Sequence, residues 1–148
     1  MEEKPVYQTK PKPKMLFLDD RSRRIHSALR QFSERFDVTI VANPPECLRY
    51  LARFDYEEVH LDHDLRGCDF EDPESKETGM EVVRYIEKTG WPAGKVKPLF
   101  IIHSSNLFAA HLMVTRLIKI GLRAYYQPFA YDDAPENMKY DEKGIPKL

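Results

Sequence analysis

Carboxylates and imidazoles are the side chains of this sequence best suited to chemistry, and they recur in short clusters. Asp19-Asp20, Asp62-His63-Asp64 and His103-Ser104-Ser105-Asn106 each follow directly on an apolar run, and Gln127 follows another. Four aspartates gathered in one cleft would repel each other, and a divalent cation relieves that repulsion. Hard oxygen ligands at this density suit Mg²⁺, Mn²⁺ or Ca²⁺ better than zinc, with Mg²⁺ or Mn²⁺ the expected cofactor. Asp20 and Asp62 are the leading candidate ligands, and Asp19 and Asp64 are further candidates. The competing reading is that these acids cap helices or pair with Arg21, Arg23 and Arg24.

His63 and His103 are the candidate proton-transfer groups, since an unperturbed imidazole titrates at about pH 6.5. Asp62 joins them as a catalytic candidate. His103-Ser104-Ser105 has the His-x-Ser spacing that two-histidine phosphoesterases use on a cyclic phosphate, although only one such motif is present. Ser104, Ser105 and Asn106 stand before a helix start, where side chains and backbone N–H groups can cradle a phosphate oxygen. Ser105 or Asn106 can equally be the cap of that helix. Arg21 is the candidate for bidentate contact with a bound anion. His26, His60 and His111 fall on helices or inside a strand and read as structural.

The elements that must position these groups alternate along the chain. Met15 to Leu18 is a wholly apolar run of the kind buried on both faces of a parallel sheet. Ile25, Ala28, Leu29 and Phe32 form one helical face. Val38 to Val41 returns as a strand, and Asn43-Pro44-Pro45-Glu46 opens a helix with an asparagine cap and proline in the first turn. Val59 to Leu61 is a third strand. Thr78-Gly79-Met80-Glu81 has capping-box spacing, and Gly90 with Pro92 ends the helix it starts. Leu99 to Ile102 is a fourth strand, a helix follows that buries Ala110, Met113, Val114 and Leu117 before Gly121, and Ala124 to Tyr126 is a fifth strand. This βαβ series predicts a parallel sheet with helices on both faces, a three-layer α/β/α architecture. The carboxyl ends of its strands share one edge, so groups from residue 19 to residue 127 should meet there.

Residues 1–14 read as an extended basic tail, with Lys4, Lys10, Lys12 and Lys14 among Pro5, Pro11 and Pro13. Residues 15–131 are the folded domain. Residues 132–148 show no amphipathic period, so a fifth helix is reduced or missing. The acidic loop from Arg66 to Glu77 leaves the functional edge as a candidate lid or recognition element, and Cys68 within it has no role. The 148 residues, 42% apolar and 32% charged, suit one globular domain. A net charge of −1 gives no overall field for nucleic acid. No apolar run is long enough for a bilayer, and two distant cysteines argue against a disulfide framework. The expectation is a reduced, cytoplasmic setting.

With these residues placed, the chain resembles the receiver, or CheY-like, domains of two-component signalling. That resemblance implies strand order 2-1-3-4-5. It makes Asp19-Asp20 the acid pair after strand one, Asp62 the phosphoacceptor position and Ser104 the hydroxyl after strand four. Gln127-Pro128-Phe129 stands where receivers carry Lys-Pro-Phe, so the lysine is absent. The chain is more closely similar to the cyclic-phosphate processing receiver-like family. The similarity runs over roughly residues 15 to 117, through Leu18-Asp19-Asp20-x-x-Arg, Leu61-Asp62-His63-Asp64-Leu65, Gly79 and Ile102-His103-Ser104-x-Asn106. It implies processing of cyclic phosphate ends or cyclic nucleotides, and with the convergence of acids, histidines and serines the expectation is cation-assisted hydrolysis or binding of a cyclic phosphate, such as a 2′,3′-cyclic nucleotide or RNA end, by a metal-dependent phosphoesterase. The alternative is a degenerate receiver acting as a signalling or protein-interaction module. Neither a membrane nor a particular protein partner is expected.

Overall fold

A computed structural model describes residues 10–66 and 70–129, and the backbone of residues 139–140 and 146–147. Five parallel strands form its sheet: β1 (Lys14–Leu18), β2 (Asp37–Val41), β3 (Glu58–Leu61), β4 (Leu99–Ile102) and β5 (Arg123–Tyr126). Their order is β2-β1-β3-β4-β5, as the resemblance implied. The crossovers are α1 (Ser22–Phe32), α2 (Pro44–Arg53), α3 (Met80–Thr89) and α4 (Leu107–Lys119). No fifth helix occurs among the described residues; a two-stranded antiparallel ladder pairs β6 (Lys139–Tyr140) with β7 (Pro146–Lys147). Residues 1–9, most of the 132–148 segment and Cys68 lie outside the described residues. Lys14, expected in the tail, opens β1 instead, because its neighbour Pro13 accepts the Asp37 N–H through its carbonyl.

Met15, Leu16, Phe17 and Leu18 are fully buried, because β1 is central and both its faces are covered. Alternation sends Leu16, Leu18, Val59, Leu61, Phe100 and Ile102 into one core with residues of α2, α3 and α4. Phe17 and His60 face the opposite layer, where Phe32 of α1 brings its ring centroid within 5.2 Å of His60. No helix among the described residues is long and apolar enough to cross a membrane.

Several local expectations hold and two do not. Asn43 caps α2 by accepting the Glu46 N–H at 2.9 Å, and Gly90 ends α3 at φ 74°. The inner face of α1 is rotated from the expected stripe: Arg24 and Ala28 are buried, while Leu29 is 36% exposed. The arginine turns inward to meet acids on the sheet edge, and that contact sets the helix azimuth. The capping box at Thr78 does not form. Thr78 Oγ1 donates to the Ser75 carbonyl, Glu81 pairs with Arg84, and Gly79 takes the cap position without a side-chain bond.

The sheet register decides where the polar clusters stand. Leu18 aligns with Val41 and Leu61, Leu61 with Ile102, and Ile102 with Tyr126. Asp19, Asp62, His103 and Gln127 therefore begin just past one common line. Each still donates its backbone N–H back into the sheet, at 3.1, 3.0, 3.0 and 2.9 Å respectively. Gly79 fixes the exit of β3. It donates its N–H to the His63 carbonyl, and a Cβ at this position would lie 1.8 Å from the Asp62 carbonyl oxygen. The obstacle is backbone, so no rotamer change relieves it. Gly79→Ala should lower stability by about 1–3 kcal/mol or more, read as a lower urea midpoint. An unchanged midpoint would show that the Asp62 turn can move freely.

Candidate functional site

The rim holds two connected polar networks. In the first, Asp19 and Asp62 are fully buried and Arg24 is 3% exposed. Arg24 leaves the inner face of α1 and puts Nη1 3.0 Å from Asp62 Oδ2 and 3.4 Å from Asp19 Oδ2. Its Nη2 reaches the Ser105 hydroxyl at 3.5 Å. His103 Nε2 lies 2.8 Å from the same Asp19 Oδ2, and its ring stacks on Phe17 at 4.6 Å. Two backbone N–H groups complete the acids: Arg21 donates to Asp19 Oδ1 at 2.9 Å, and His63 donates to Asp62 Oδ1 at 2.8 Å.

The second network organises the loop above the sheet. His63 Nδ1 contacts Asp64 Oδ1 at 2.6 Å, while His63 Nε2 is buried with no hydrogen-bond partner among the described residues. Asp64 also accepts from Phe70 N, Glu71 N and Asn106 Nδ2. Asn106 caps α4 through Ala109 N, and its backbone N–H donates to the buried Ser104 hydroxyl. Arg84 clamps the acidic loop by donating to the carbonyls of Pro73 and Ser75.

Burial and charge separate the titrations of these groups. Burial alone would push Asp19 up, but the hydrogen bond from His103, the Arg21 N–H and the Arg24 charge hold it below the usual carboxylate range. Asp62 is pushed well above that range by burial and by the Asp19 charge, with Arg24 only partly opposing. Burial lowers the His103 imidazole despite Asp19, so the neutral ring donates its Nε2 hydrogen to the carboxylate.

Of the four aspartates proposed as cation ligands, three come together. Asp19, Asp20 and Asp62 each offer a carboxylate oxygen, all within 4.8 Å of one another. That hard-oxygen set fits Mg²⁺, Mn²⁺ or Ca²⁺. Asp64 stands apart, its oxygens already used by four hydrogen bonds to His63, the loop and Asn106. The cap reading is the one the geometry shows for Asn106. Of the phosphate candidates, Ser105 is exposed at the rim beside Arg24, and Arg21 contributes its backbone N–H as the α1 cap residue.

Sequence reasoning gave the anion to Arg21 and named Arg24 only as one of three arginines able to pair with the acids. The signal that distinguishes Arg24 is its stripe: Arg24 and Ala28 share a helical face, and the small alanine leaves room for a long side chain to turn inward. His60 is buried with Nε2 3.2 Å from Glu58, His111 packs near Tyr126, and His26 is exposed.

The model of the cyclic-phosphate processing receiver domain matches residues 14–119. The chain belongs to this family. Solved structures similar to it include a response regulator from Burkholderia pseudomallei with a phosphorylated aspartic acid, calcium ion and citrate. That protein is 15% identical at a TM-score of 0.55, and the match covers 77% of this chain and 58% of that one. A CheY-like receiver domain from Methylobacillus flagellatus is 13% identical at 0.56, covering 80% and 88%. The receiver domain of Francisella response regulator 1452 is 17% identical at 0.53, covering 78% and 84%. At such identities the likeness shows the receiver fold alone. A search of curated proteins found no match.

The His103 environment gives this receiver domain a testable pH response. Its folded value lies below the 6.5 of the free group, so the unfolded chain binds more protons as pH falls through that window. This contribution to stability is present above about pH 6.5 and is lost on acidification, by at most about 1.4 kcal/mol per pH unit for one proton. His103→Gln keeps a donor for Asp19 without titrating. Its urea midpoint should fall less than the wild-type midpoint between about pH 7.5 and about pH 5.5. Equal slopes would mean that His103 does not titrate on unfolding.

Proposed function

We propose that this receiver domain carries out divalent-cation-assisted processing of a cyclic phosphate, such as a 2′,3′-cyclic nucleotide or RNA end. The observation that carries the reading is the meeting of Asp19, Asp20 and Asp62 with Arg24, His103 and Ser105 at one rim. The family to which the chain belongs is named for the same substrate chemistry. Asp19, Asp20 and Asp62 would hold a divalent cation, which would supply positive charge for the phosphoryl oxygens and lower the pKa of water.

The protein groups divide the remaining work. Arg24 and Ser105 hold a phosphoryl oxygen at the exposed side of the cluster. His63 acts as the base: Asp64 fixes its Nδ1 hydrogen, which leaves the Nε2 lone pair to take a proton from water. Water adds at phosphorus, the ring P–O bond breaks, and the departing ribose oxygen receives a proton, giving a phosphomonoester. His103 holds Asp19 in place through its Nε2 hydrogen, and the departing oxygen takes its proton from solvent at the exposed rim while His63 returns the proton it took.

Turnover of 2′,3′-cyclic nucleotides with Mn²⁺ or Mg²⁺ is the direct test. Asp62→Asn and His103→Ala should abolish it, and His63→Gln should lower kcat by about 10²–10⁴-fold. A broad panel of cyclic nucleotides and cyclic RNA ends giving neither turnover nor binding would remove the reading.

One observation favours a signalling module without turnover: Asp62 occupies the phosphoacceptor position of a receiver fold, with Arg24 3.0 Å from it. On that reading beryllofluoride should shift NMR signals around Asp62 in wild type and not in Asp62→Asn. Silence in wild type excludes a phosphoacceptor role.

A further inference from the structure

We propose that Arg24 is a resident counter-ion that a divalent cation must displace, and that its release toward Ser105 creates the seat for the phosphoryl group. The inference rests on the cation-assisted reading above and adds an order of binding to it. Arg24 Nη1 sits between Asp62 Oδ2 at 3.0 Å and Asp19 Oδ2 at 3.4 Å. These two carboxylates, with Asp20, are also the ones that converge as a cation site. The guanidinium and a cation therefore compete for the same acids.

The other edge of the guanidinium shows where it goes. Nη2 is 3.5 Å from Ser105 Oγ, and Ser105 is exposed while Arg24 is 3% exposed. Once a cation takes the carboxylate oxygens, Nη1 loses its contacts with Asp62 and Asp19 and faces a second positive charge. A small rotation about the side chain carries the fork toward Ser105 and solvent. A phosphoryl group arriving there offers two oxygens in the spacing an arginine fork matches. Cation and phosphate then stabilise each other through one residue, and linkage makes the effect reciprocal. Neither ligand alone satisfies the arrangement: the cation by itself takes the guanidinium's two carboxylate partners, and the anion by itself finds Arg24 engaged with them.

The experiment measures Mn²⁺ affinity of the full chain by electron paramagnetic resonance and calorimetry, with and without inorganic phosphate. Wild type, Arg24→Met and Arg24→Lys are compared. Arg24→Met should bind Mn²⁺ on the order of ten-fold tighter than wild type, since its competitor is gone. Phosphate should tighten Mn²⁺ binding about five-fold or more in wild type and leave Arg24→Met unchanged. Arg24→Lys keeps the charge in the core and loses the fork, so its Mn²⁺ affinity should stay near wild type while the phosphate effect weakens. It carries the test if Arg24→Met does not fold. Mn²⁺ binding to Arg24→Met no tighter than to wild type overturns the exchange and leaves the cation site standing. A phosphate effect that persists in Arg24→Met overturns the seat. Absence of Mn²⁺ binding in all three proteins overturns both this inference and the cation-assisted reading.

Discussion

A carboxylate with no solvent exposure must find a counter-charge inside the protein or hold a proton, and that constraint organises the whole rim. Asp19 and Asp62 are both fully buried. Leaving one such charge uncompensated costs about 3–5 kcal/mol, a large share of the roughly 5–15 kcal/mol that holds a domain together. The chain from His103 through Asp19 and Arg24 to Asp62 answers this with one cation and one imidazole donor, joined by the backbone N–H groups of Arg21 and His63. The same need turns α1 so that Arg24 faces the sheet. The proposed function and the fold share these contacts, so a change at either acid is expected to be felt in both.

The two aspartates of Asp62-His63-Asp64 do different jobs because the chain leaves the sheet between them. Had β3 continued, residues two apart would share a face. Instead His63 N–H bonds the Asp62 side chain and Gly79 N–H takes the His63 carbonyl, which bends the backbone away. Asp62 stays with the buried cluster. Asp64 turns to the loop, where it gathers the N–H groups of Phe70 and Glu71 and the Asn106 amide. One short motif thus ties a carboxylate cluster to the loop that overhangs it, with the His63 ring between them.

Much of this was legible because parallel strands write themselves as short unbroken apolar runs. Met15 to Leu18, Val59 to Leu61 and Leu99 to Ile102 end abruptly in polar residues. The right-handed crossover rule then leaves few ways to join them. Register follows once the strands are adjacent, so the meeting of Asp19, Asp20, Asp62 and His103 was inferable before any coordinate. What the sequence hid was azimuth and loop geometry. A helical face read from apolar residues alone favoured Leu29 over Arg24, since hydrophobicity counts an inward arginine as an outward one. The capping box at Thr78 had the right spacing but lost Glu81 to Arg84, a competitor three residues on in the same helix. Asp64 looked like a ligand because identity is visible in sequence and hydrogen-bond saturation is not.

The position of the positive charge separates this chain from the receivers it resembles. There a lysine after strand five approaches the phosphoacceptor side; here that place is Gln127, which is exposed and bears no charge. The charge comes instead from α1, through Arg24, and it touches Asp19 as well as Asp62. A lysine is a single mobile point of charge, whereas a guanidinium is a planar fork that can bridge two acids or grip two phosphoryl oxygens. Moving the cation from strand five to helix one therefore changes the kind of ligand the rim can hold. On the proposed reading it replaces a partner for one bonded group on Asp62 with a bridge between the carboxylate cluster and Ser105, an arrangement that would suit a phosphate arriving from outside better than one carried on the aspartate itself.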